Sequence, residues 1–406
     1  MENDEICVVA PNRLVTPLAE FLPLQQHAIP IDEQFKSLEE YISAPYNKRT
    51  IDPYTRSRIL LLISIENYSM FAKYQMARYI DDDALKKHLS MIRRIESMQL
   101  QRLISLIPAD ESPIETAIGF EQMVVDTTVN LAQNEADDYF KQMLDFTLLE
   151  DLDHLYRFSM LYDIMEEGDA EHITRGRTPI IKGRPTALQH RHPMDEMRVH
   201  YDLEDTSLRT IMNYLTVVAA EREKMLFYRD AVRLYSEQLI RRIFAEMAEI
   251  EGQHLSQYES IGDPHISPMN NLALIELNEA YNYFSALQEE TEPLMRKLWG
   301  ELLCQELGHF QLALVLMERV EGKNATKLLD NVSISSLIEF EPNLEYIEAV
   351  LATKIDLQPY DGEFVPEDRL PSDWPSFKFR EIINGRGSPS DEVEKRWEHN
   401  RSLHSI

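Results

Sequence analysis

Apolar residues recur every three or four positions through eight stretches of this chain, which is the spacing of one face of an α-helix. The stretches form two groups of four. The first group predicts helices at about 54–80, 83–107, 112–133 and 136–166, and the second predicts helices at about 205–236, 237–262, 269–289 and 291–322. Glycine is scarce, and proline falls between these helices or in their first turns. The pattern predicts an all-α protein.

One acidic residue lies in the middle of each apolar stripe, where a helix that packs on a core would normally carry an apolar side chain. The eight acids are Glu66, Glu96, Glu121 and Asp151 in the first group, and Glu221, Glu251, Glu276 and Glu306 in the second. A buried carboxylate without a partner is strongly destabilising. The negative charges at all eight positions therefore need partners that offset the free energy of burial.

A constant displacement relates the two sets of acids. The differences 221 − 66, 251 − 96, 276 − 121 and 306 − 151 all equal 155. The chain is therefore predicted to be an internal duplication that folds as two tandem four-helix bundles, at 54–166 and 205–322. An extended N-terminal arm (1–53), a basic interdomain linker (167–204) and a partly helical C-terminal tail (323–406) complete the chain. The tail is expected to form helical pieces near 326–338, 343–354 and 389–403.

Histidine stands three residues after three of the eight acids, as His154, His254 and His309, and Gln99 takes the fourth such place. A two-metal site in a four-helix bundle uses a Glu from each of two helices and a Glu-x-x-His pair from each of the other two. Oxygen and nitrogen ligands with open positions suit iron or manganese. The pattern predicts a complete site in the second copy, formed by Glu221, Glu251, His254, Glu276, Glu306 and His309. It predicts a weaker site in the first copy, formed by Glu66, Glu96, Gln99, Glu121, Asp151 and His154.

Three alternatives accompany this prediction. The buried acids could instead be met by Arg, Lys or protonation. Three tyrosines, each seven residues after a ligand of the second copy, are either catalytic residues near the metals or ordinary core residues: Tyr228, Tyr258 and Tyr283. Glu279, one turn after Glu276, is either a further ligand or a solvated acid.

The acid and Glu-x-x-His spacing resembles that of the ferritin-like superfamily, in the rubrerythrin and diiron-carboxylate group. The resemblance covers about 56–166 and 207–322. It implies two ferritin-like bundles, with two iron ions or a manganese–iron pair in the second and a weaker metal site in the first. It also implies an oxidoreductase that acts on dioxygen or peroxide, with an unidentified small-molecule substrate or electron donor. The alternative is a non-catalytic metal-binding bundle that serves as a structural or interaction module.

The linker is the most basic stretch of the chain, and its sequence shows no counterpart at the start of the chain. It could cover the mouth of a metal site, with Arg184, His190 or His192 touching metal or substrate. The favoured interpretation is a strap that pairs with acidic bundle surface. The tail is expected to pack on a bundle or on the second subunit of a homodimer.

The formal net charge of −29 argues against binding to nucleic acid or to an anionic membrane surface. No apolar run approaches the ~18–20 residues that a membrane-spanning helix needs. The N-terminal sequence lacks the basic-then-apolar pattern of a signal peptide. These features favour a cytoplasmic protein.

Overall fold

The computed structural model describes residues 21, 23, 24, 26–322 and 336–404. Within these residues nearly all of the regular secondary structure is helical, which confirms the predicted all-α class. The predicted helical piece near 326–338 lies largely outside the described residues, as does the beginning of the predicted arm. In the described part of the chain, no helix is both long and apolar enough to cross a membrane.

Eight long helices occupy the predicted places, and their ends differ from the prediction by a few residues. They are α1 (Pro53–Met76), α2 (Asp83–Ile104), α3 (Pro113–Asn134), α4 (Asp138–Glu166), α6 (Leu208–Ala231), α7 (Gln238–Glu259), α8 (Pro268–Glu289) and α9 (Pro293–Glu321), and a single turn, α5 (Glu171–Thr174), lies in the linker. The tail forms α10 (Leu344–Lys354), an antiparallel hairpin of β1 (Leu357–Tyr360) and β2 (Glu363–Pro366), α11 (Pro375–Ile383) and α12 (Pro389–His404). The hairpin and α11 were not predicted.

The helix starts repeat with the same displacement as the acids. Each of the eight long helices begins after an N-cap side chain that accepts a backbone N–H of the first turn, which satisfies one of the free donors there. These residues are Asp52, Asp82, Ser112 and Asp137 in the first copy, and Ser207, Glu237, Ser267 and Glu292 in the second. The differences 207 − 52, 237 − 82, 267 − 112 and 292 − 137 are all 155. The duplication therefore extends to the local signals that start each helix.

Each bundle combines helices of both copies. Consecutive helices form four hairpins, α1–α2, α3–α4, α6–α7 and α8–α9, and these hairpins then pair across the duplication. Bundle A contains α1, α2, α8 and α9, and bundle B contains α3, α4, α6 and α7. The prediction had assigned one bundle to each copy. Short turns fix the hairpins, but equivalent hairpins carry equivalent apolar stripes, so the sequence pattern does not distinguish the two ways of pairing them.

The linker has a counterpart in the arm, contrary to the sequence prediction. Single 3₁₀ turns at Ile31–Glu33 and Leu38–Tyr41 correspond to those at Thr186–Leu188 and Pro193–Glu196, because 186 − 31 and 193 − 38 are both 155. The backbone contacts correspond as well. Ile29 N donates to Cys304 O of α9 at 2.8 Å, and Arg184 N donates to Leu149 O of α4 at 2.7 Å. Each flanking segment therefore docks on the last helix of the other copy.

The tail packs on bundle B, in agreement with one of the two predicted placements. Helix α12 lies against α4 and α7, and α10 lies against α4. Val393 is fully buried in the core there. Arg157 of α4 pairs with Asp153 at 3.1 Å and with Glu394 of the tail at 2.5 Å. The tail thus covers the outer side of the bundle that holds Asp151 and His154.

Candidate metal centres

Bundle B brings six of the predicted ligands together, three from each copy. This set, called cluster B, consists of Glu121, Asp151, His154, Glu221, Glu251 and His254, all fully buried. The ligand atoms form two groups of four, in each of which all atoms lie within 4.8 Å of one another. One group contains Glu121 and His154, the other contains Glu221 and His254, and both contain Asp151 and Glu251. Two groups that share two carboxylates are the arrangement that two bridged cations require.

Hydrogen bonds fix the ring of His154. Its Nε2 lies 2.7 Å from Gln189 Oε1 of the linker, and Gln189 Nε2 donates to Arg184 O at 2.8 Å. Because the amide nitrogen is engaged, the amide oxygen must face the histidine, and the histidine Nε2 must be the donor. The other nitrogen, Nδ1, faces Glu251 Oε1 at 2.8 Å. A histidine held in this way by its outer nitrogen is typical of a metal ligand.

His254 has the same orientation with a different partner. Its Nε2 donates to Glu150 Oε2 at 2.7 Å, and its Nδ1 lies 3.1 Å from Glu251 Oε2. Burial alone would raise the pKa of Glu150, but the Arg191 guanidinium and His254 lower it to about 2. Glu150 is therefore an ionised acceptor. Glu251 presents one carboxylate oxygen to each histidine, as expected for a bridging ligand.

Two carboxylate oxygens of cluster B have neither a hydrogen-bond partner nor an ion-pair partner among the described residues. They are Oε1 of Glu221 and Oδ2 of Asp151. Buried polar atoms without partners are rare and call for a physical explanation such as an ion. Together with the two groups of converging ligand atoms, they indicate that the cluster could hold metal ions.

Lys224 of α6 enters the same space and was missed by the sequence analysis. Its Nζ lies 2.5 Å from Asp151 Oδ1, 2.9 Å from Glu251 Oε2 and 3.3–3.4 Å from Glu221 and Glu121. Burial alone would lower the pKa of Lys224, but these acids raise it well above the usual value. One ammonium does not neutralise four carboxylates, and burial accordingly raises the pKa of Glu121 and that of Asp151 to about 7.

Bundle A brings together the other six predicted residues, again three from each copy. This set, cluster A, consists of Glu66, Glu96, Gln99, Glu276, Glu306 and His309. A single group of ligand atoms within 4.8 Å of one another is found here among the described residues: Glu96, Glu276, Glu306 and His309. Gln99 turns its amide nitrogen toward Glu306 Oε1 and donates a hydrogen bond at 2.6 Å. In this structure Gln99 therefore hydrogen-bonds to the candidate ligand Glu306 and does not turn its own amide oxygen toward that carboxylate.

The arm supports His309 as the linker supports His154. His309 Nε2 lies 2.8 Å from Gln34 Oε1, and Gln34 Nε2 donates to Ile29 O at 2.7 Å and to Gln305 O at 3.0 Å. The amide oxygen is again fixed toward the ring, and Nδ1 faces Glu306 Oε2 at 3.1 Å. Gln34 and Gln189 are duplicate positions, since 189 − 34 is 155. That match, outside the predicted helices, could have been found in the sequence.

Lys73 and Glu279 are further buried charges in cluster A. Lys73 Nζ forms an ion pair with Glu96, lies 2.9 Å from Glu276 Oε1 and 3.4 Å from Glu279 Oε2. Ser69 Oγ donates to Glu279 Oε2 at 2.6 Å. Glu279 is therefore a buried partner of Lys73, and the alternative of a solvated acid is wrong. Glu279 thus adds a fifth carboxylate beside the four of cluster A, and the Lys73 ammonium contacts three of the five.

The three predicted tyrosines divide between the clusters. Tyr228 donates to Glu121 Oε1 in cluster B, and Tyr283 donates to Glu66 Oε1 in cluster A at 2.5 Å. The hydroxyl of Tyr258 is instead hydrogen-bonded to Thr147. Two of the three therefore touch a predicted ligand.

The linker behaves as a strap, which is the favoured interpretation. Arg184 Nε lies 3.6 Å from Glu150 Oε1, and His190 lies 3.5 Å from Glu246. His192 Nδ1 accepts from Met194 N. The structure therefore does not bring these three residues into cluster B. The linker reaches the histidines instead through Gln189 and through Arg191, which pairs with Glu150 at 2.5 Å.

No known protein family, curated protein or solved structure matches this chain. The helical architecture and the buried groups of acids and histidines are compatible with a ferritin-like fold. Both clusters contain groups that could bind metal ions.

Proposed function

We propose that cluster B binds two iron ions, or a manganese–iron pair, and that the protein is an oxidoreductase that reduces dioxygen or peroxide there. The observation that carries this proposal is the pair of ligand groups sharing Asp151 and Glu251. Glu121 and His154 would complete the ligands of one ion, and Glu221 and His254 would complete those of the other. Oxygen and imidazole ligands suit iron and manganese.

The charge balance supports two divalent ions. Four carboxylates carry four negative charges, and two divalent cations supply four positive ones. With Nε2 as the outer donor, Nδ1 of His154 and of His254 faces inward, and loss of the Nδ1 proton to an entering metal ion would present a lone pair to that ion. In the absence of metal, Lys224 partly neutralises the acids. Its long flexible stem allows the ammonium to withdraw as cations enter.

When bound, such metal ions would supply Lewis acidity and would pass electrons from an external donor to dioxygen or peroxide. The residues of the chain would hold them in a space that excludes bulk water, since all six candidate ligands are fully buried. The hydroxyl of Tyr228 donates a hydrogen bond to Glu121 Oε1. This bond orients the Glu121 carboxylate and places an oxidisable side chain beside the centre.

The second candidate function is a non-catalytic bundle, and the buried lysines favour it. Lys73 and Lys224 each contact several acids of a cluster, so ion pairs alone could stabilise the fold. A buried charge network of this kind can specify one packing arrangement without any chemistry. Metal content separates the two candidates.

The decisive experiment loads the full chain with Fe(II) under nitrogen, removes free metal and measures iron per chain. We expect about two ions in cluster B, by the two-metal arrangement of ligands. The double variant His154→Ala/His254→Ala should lose them, whereas the exposed His172→Ala control should not. On exposure to air, the loaded protein should consume dioxygen faster than free Fe(II), and the double variant should not.

Each negative outcome has a distinct meaning. Bound iron without dioxygen or peroxide consumption would support the non-catalytic metalloprotein. Full metal content in the double variant would place the ligands elsewhere. A chain that binds no divalent metal would leave the lysine–carboxylate network as the whole role of the cluster.

A further inference from the structure

A cavity of about 390 Å³ lies along the outer side of the α6–α7 hairpin, where the linker crosses it. Its volume is within the range of sites for small molecules. The walls are partly apolar and partly polar. The lining includes Met225 and Val232 of α6, Ala245, Ala248 and Gly252 of α7, and Glu196 of the linker.

The cavity and cluster B share the α6–α7 hairpin as a common wall. Met225 follows Lys224 directly, and Gly252 follows Glu251 directly. A Cβ built on Gly252 would lie 3.6 Å from Met225 Sδ, so the flexible methionine lies over the glycine at this wall. Gln253, which also lines the cavity, precedes His254.

One buried polar atom at this cavity has no partner in the described structure. Glu196 is 1% exposed, and its Oε1 accepts from Arg191 Nε at 2.6 Å. Its other oxygen, Oε2, has no hydrogen-bond partner among the described residues. A carboxylate oxygen accepts hydrogen bonds only, so a molecule that satisfies it must bring an N–H or O–H group.

The equivalent place in bundle A carries larger side chains. Ala248 corresponds to Arg93, and Arg229 corresponds to Tyr74, since both differences equal 155. The Arg93 guanidinium lies 4.4 Å from the ring centroid of Tyr74. Glu196 corresponds to Tyr41, whose hydroxyl donates to Gln34 O at 3.3 Å. The same scaffold thus carries large paired side chains in one bundle and a cavity with an acceptor in the other.

We propose that this cavity binds a small organic molecule with an apolar body and one hydrogen-bond donor, a hydroxyl or an amine, seated on Glu196 Oε2. The molecule would be the substrate or electron donor of cluster B, a role that rests on the function proposed above. Its apolar part would lie against Met225, Val232 and Ala248. A ligand carboxylate is disfavoured at Glu196, because it has no hydrogen to donate to Oε2.

The test measures binding of three matched probes to the full chain by calorimetry: 1-hexanol, n-hexylamine and hexanoate. We expect the alcohol and the amine to bind about tenfold more tightly than hexanoate, because hexanoate has no donor for Glu196. Glu196→Gln, which keeps an acceptor for Arg191, should reduce this preference to about threefold or less by removing the charge.

Filling the cavity provides the second arm of the test. Ala248→Arg installs the residue of the other copy, and Ala248→Phe fills the space without adding charge. Both should weaken binding of 1-hexanol by at least about tenfold, since the space for its chain is lost. Gln238→Arg, an exposed change on the same helix, is the matched control and should bind as the unmodified chain does.

Equal affinity for the three probes, or unchanged affinity in both Ala248 variants, would overturn the proposed ligand class or the proposed site. Binding of n-hexylamine but not of 1-hexanol would narrow the class to amines and support the site. Metal content and dioxygen consumption are measured on the same variants. If an Ala248 variant still loads metal normally, its effect on probe binding tests the ligand proposal alone, and the metal proposal is unaffected.

Discussion

Clusters A and B occupy equivalent places in the duplicated scaffold, yet their charges are arranged differently. Tyr228 of cluster B and Lys73 of cluster A are duplicate positions, since 228 − 73 is 155, and they contact the equivalent acids Glu121 and Glu276. The ammonium of cluster B comes instead from Lys224, whose duplicate is Ser69. The first helix of each copy thus carries its lysine at a different turn: Lys73 on α1 and Lys224 on α6. On α6, Tyr228 occupies the position that corresponds to Lys73.

The two clusters also differ in the number of histidines. Cluster B has two histidines and two ligand groups, whereas cluster A has one histidine and one ligand group among the described residues. Cluster A has Glu279 as a fifth acid, at the position of Val124 in the other copy. Under the proposed function cluster B is the two-metal centre, and cluster A offers one group of ligand atoms for an ion among the described residues. The prediction of a complete site made only by the second copy is replaced by this assignment.

The largest expected effect tests the lysines. Lys224→Met and Lys73→Met each leave several buried acids without their ammonium, which should lower the free energy of unfolding of the metal-free protein by about 3–5 kcal/mol. Mn(II) should restore stability in Lys224→Met more fully than in Lys73→Met, because cluster B offers two histidines. Denaturation curves with and without Mn(II) measure this. Equal rescue of the two variants would remove the distinction between the clusters.

A second prediction tests the crossed pairing of arm and linker with the bundles. Gln189→Leu should lower metal affinity at cluster B, and Gln34→Leu should lower it at cluster A, each by about 10- to 100-fold, because the histidine loses its outer partner. Metal titrations in the His309→Ala background report cluster B alone. If Gln34→Leu weakened binding there, the observed pairing of the hairpins would be contradicted.

Replacing Gln99 with histidine should make cluster A resemble cluster B. Gln99→His supplies the missing imidazole, and we expect about one additional divalent ion per chain, as in the complete ligand pattern. Gln101→His, on the exposed side of the same helix, is the control. Cobalt titration followed by elemental analysis counts the ions. No gain in Gln99→His would show that Lys73, and not the missing histidine, limits cluster A.

The last prediction concerns pH. Burial raises the pKa of Glu121 and that of Asp151 to about 7 in the metal-free folded chain, above their values in an unfolded chain. The folded state therefore binds more protons between about pH 4 and 7, and stability should fall as pH rises through this window, by about 1.4 kcal/mol per pH unit for each titrating acid. Glu121→Gln should flatten the slope by one proton. Urea unfolding of metal-free protein across this range provides the measurement.

The sequence by itself determined the helices, the duplication and the residues that form the two buried clusters. Periodic apolar positions and N-cap residues are local signals, so the eight long helices could be located to within a few residues. Acids in the middle of apolar stripes, with histidine one turn later, marked all twelve cluster positions. The repeated Gln34 and Gln189 were also readable but lie outside the helices, where no periodicity drew attention to them.

Only the tertiary structure decided which hairpins share a bundle. The two copies carry the same stripes and the same ligand spacing, so a bundle made within one copy and a bundle made across copies satisfy the sequence pattern equally well. The pairing fixes what each candidate ligand faces. His154 meets Glu251 because α4 lies beside α7, and Lys224 of α6 reaches Asp151 because the α3–α4 and α6–α7 hairpins share bundle B. Local sequence patterns specify the helices of both copies. The pairing of these helices depends on packing contacts between residues far apart in the chain, which local spacing does not reveal.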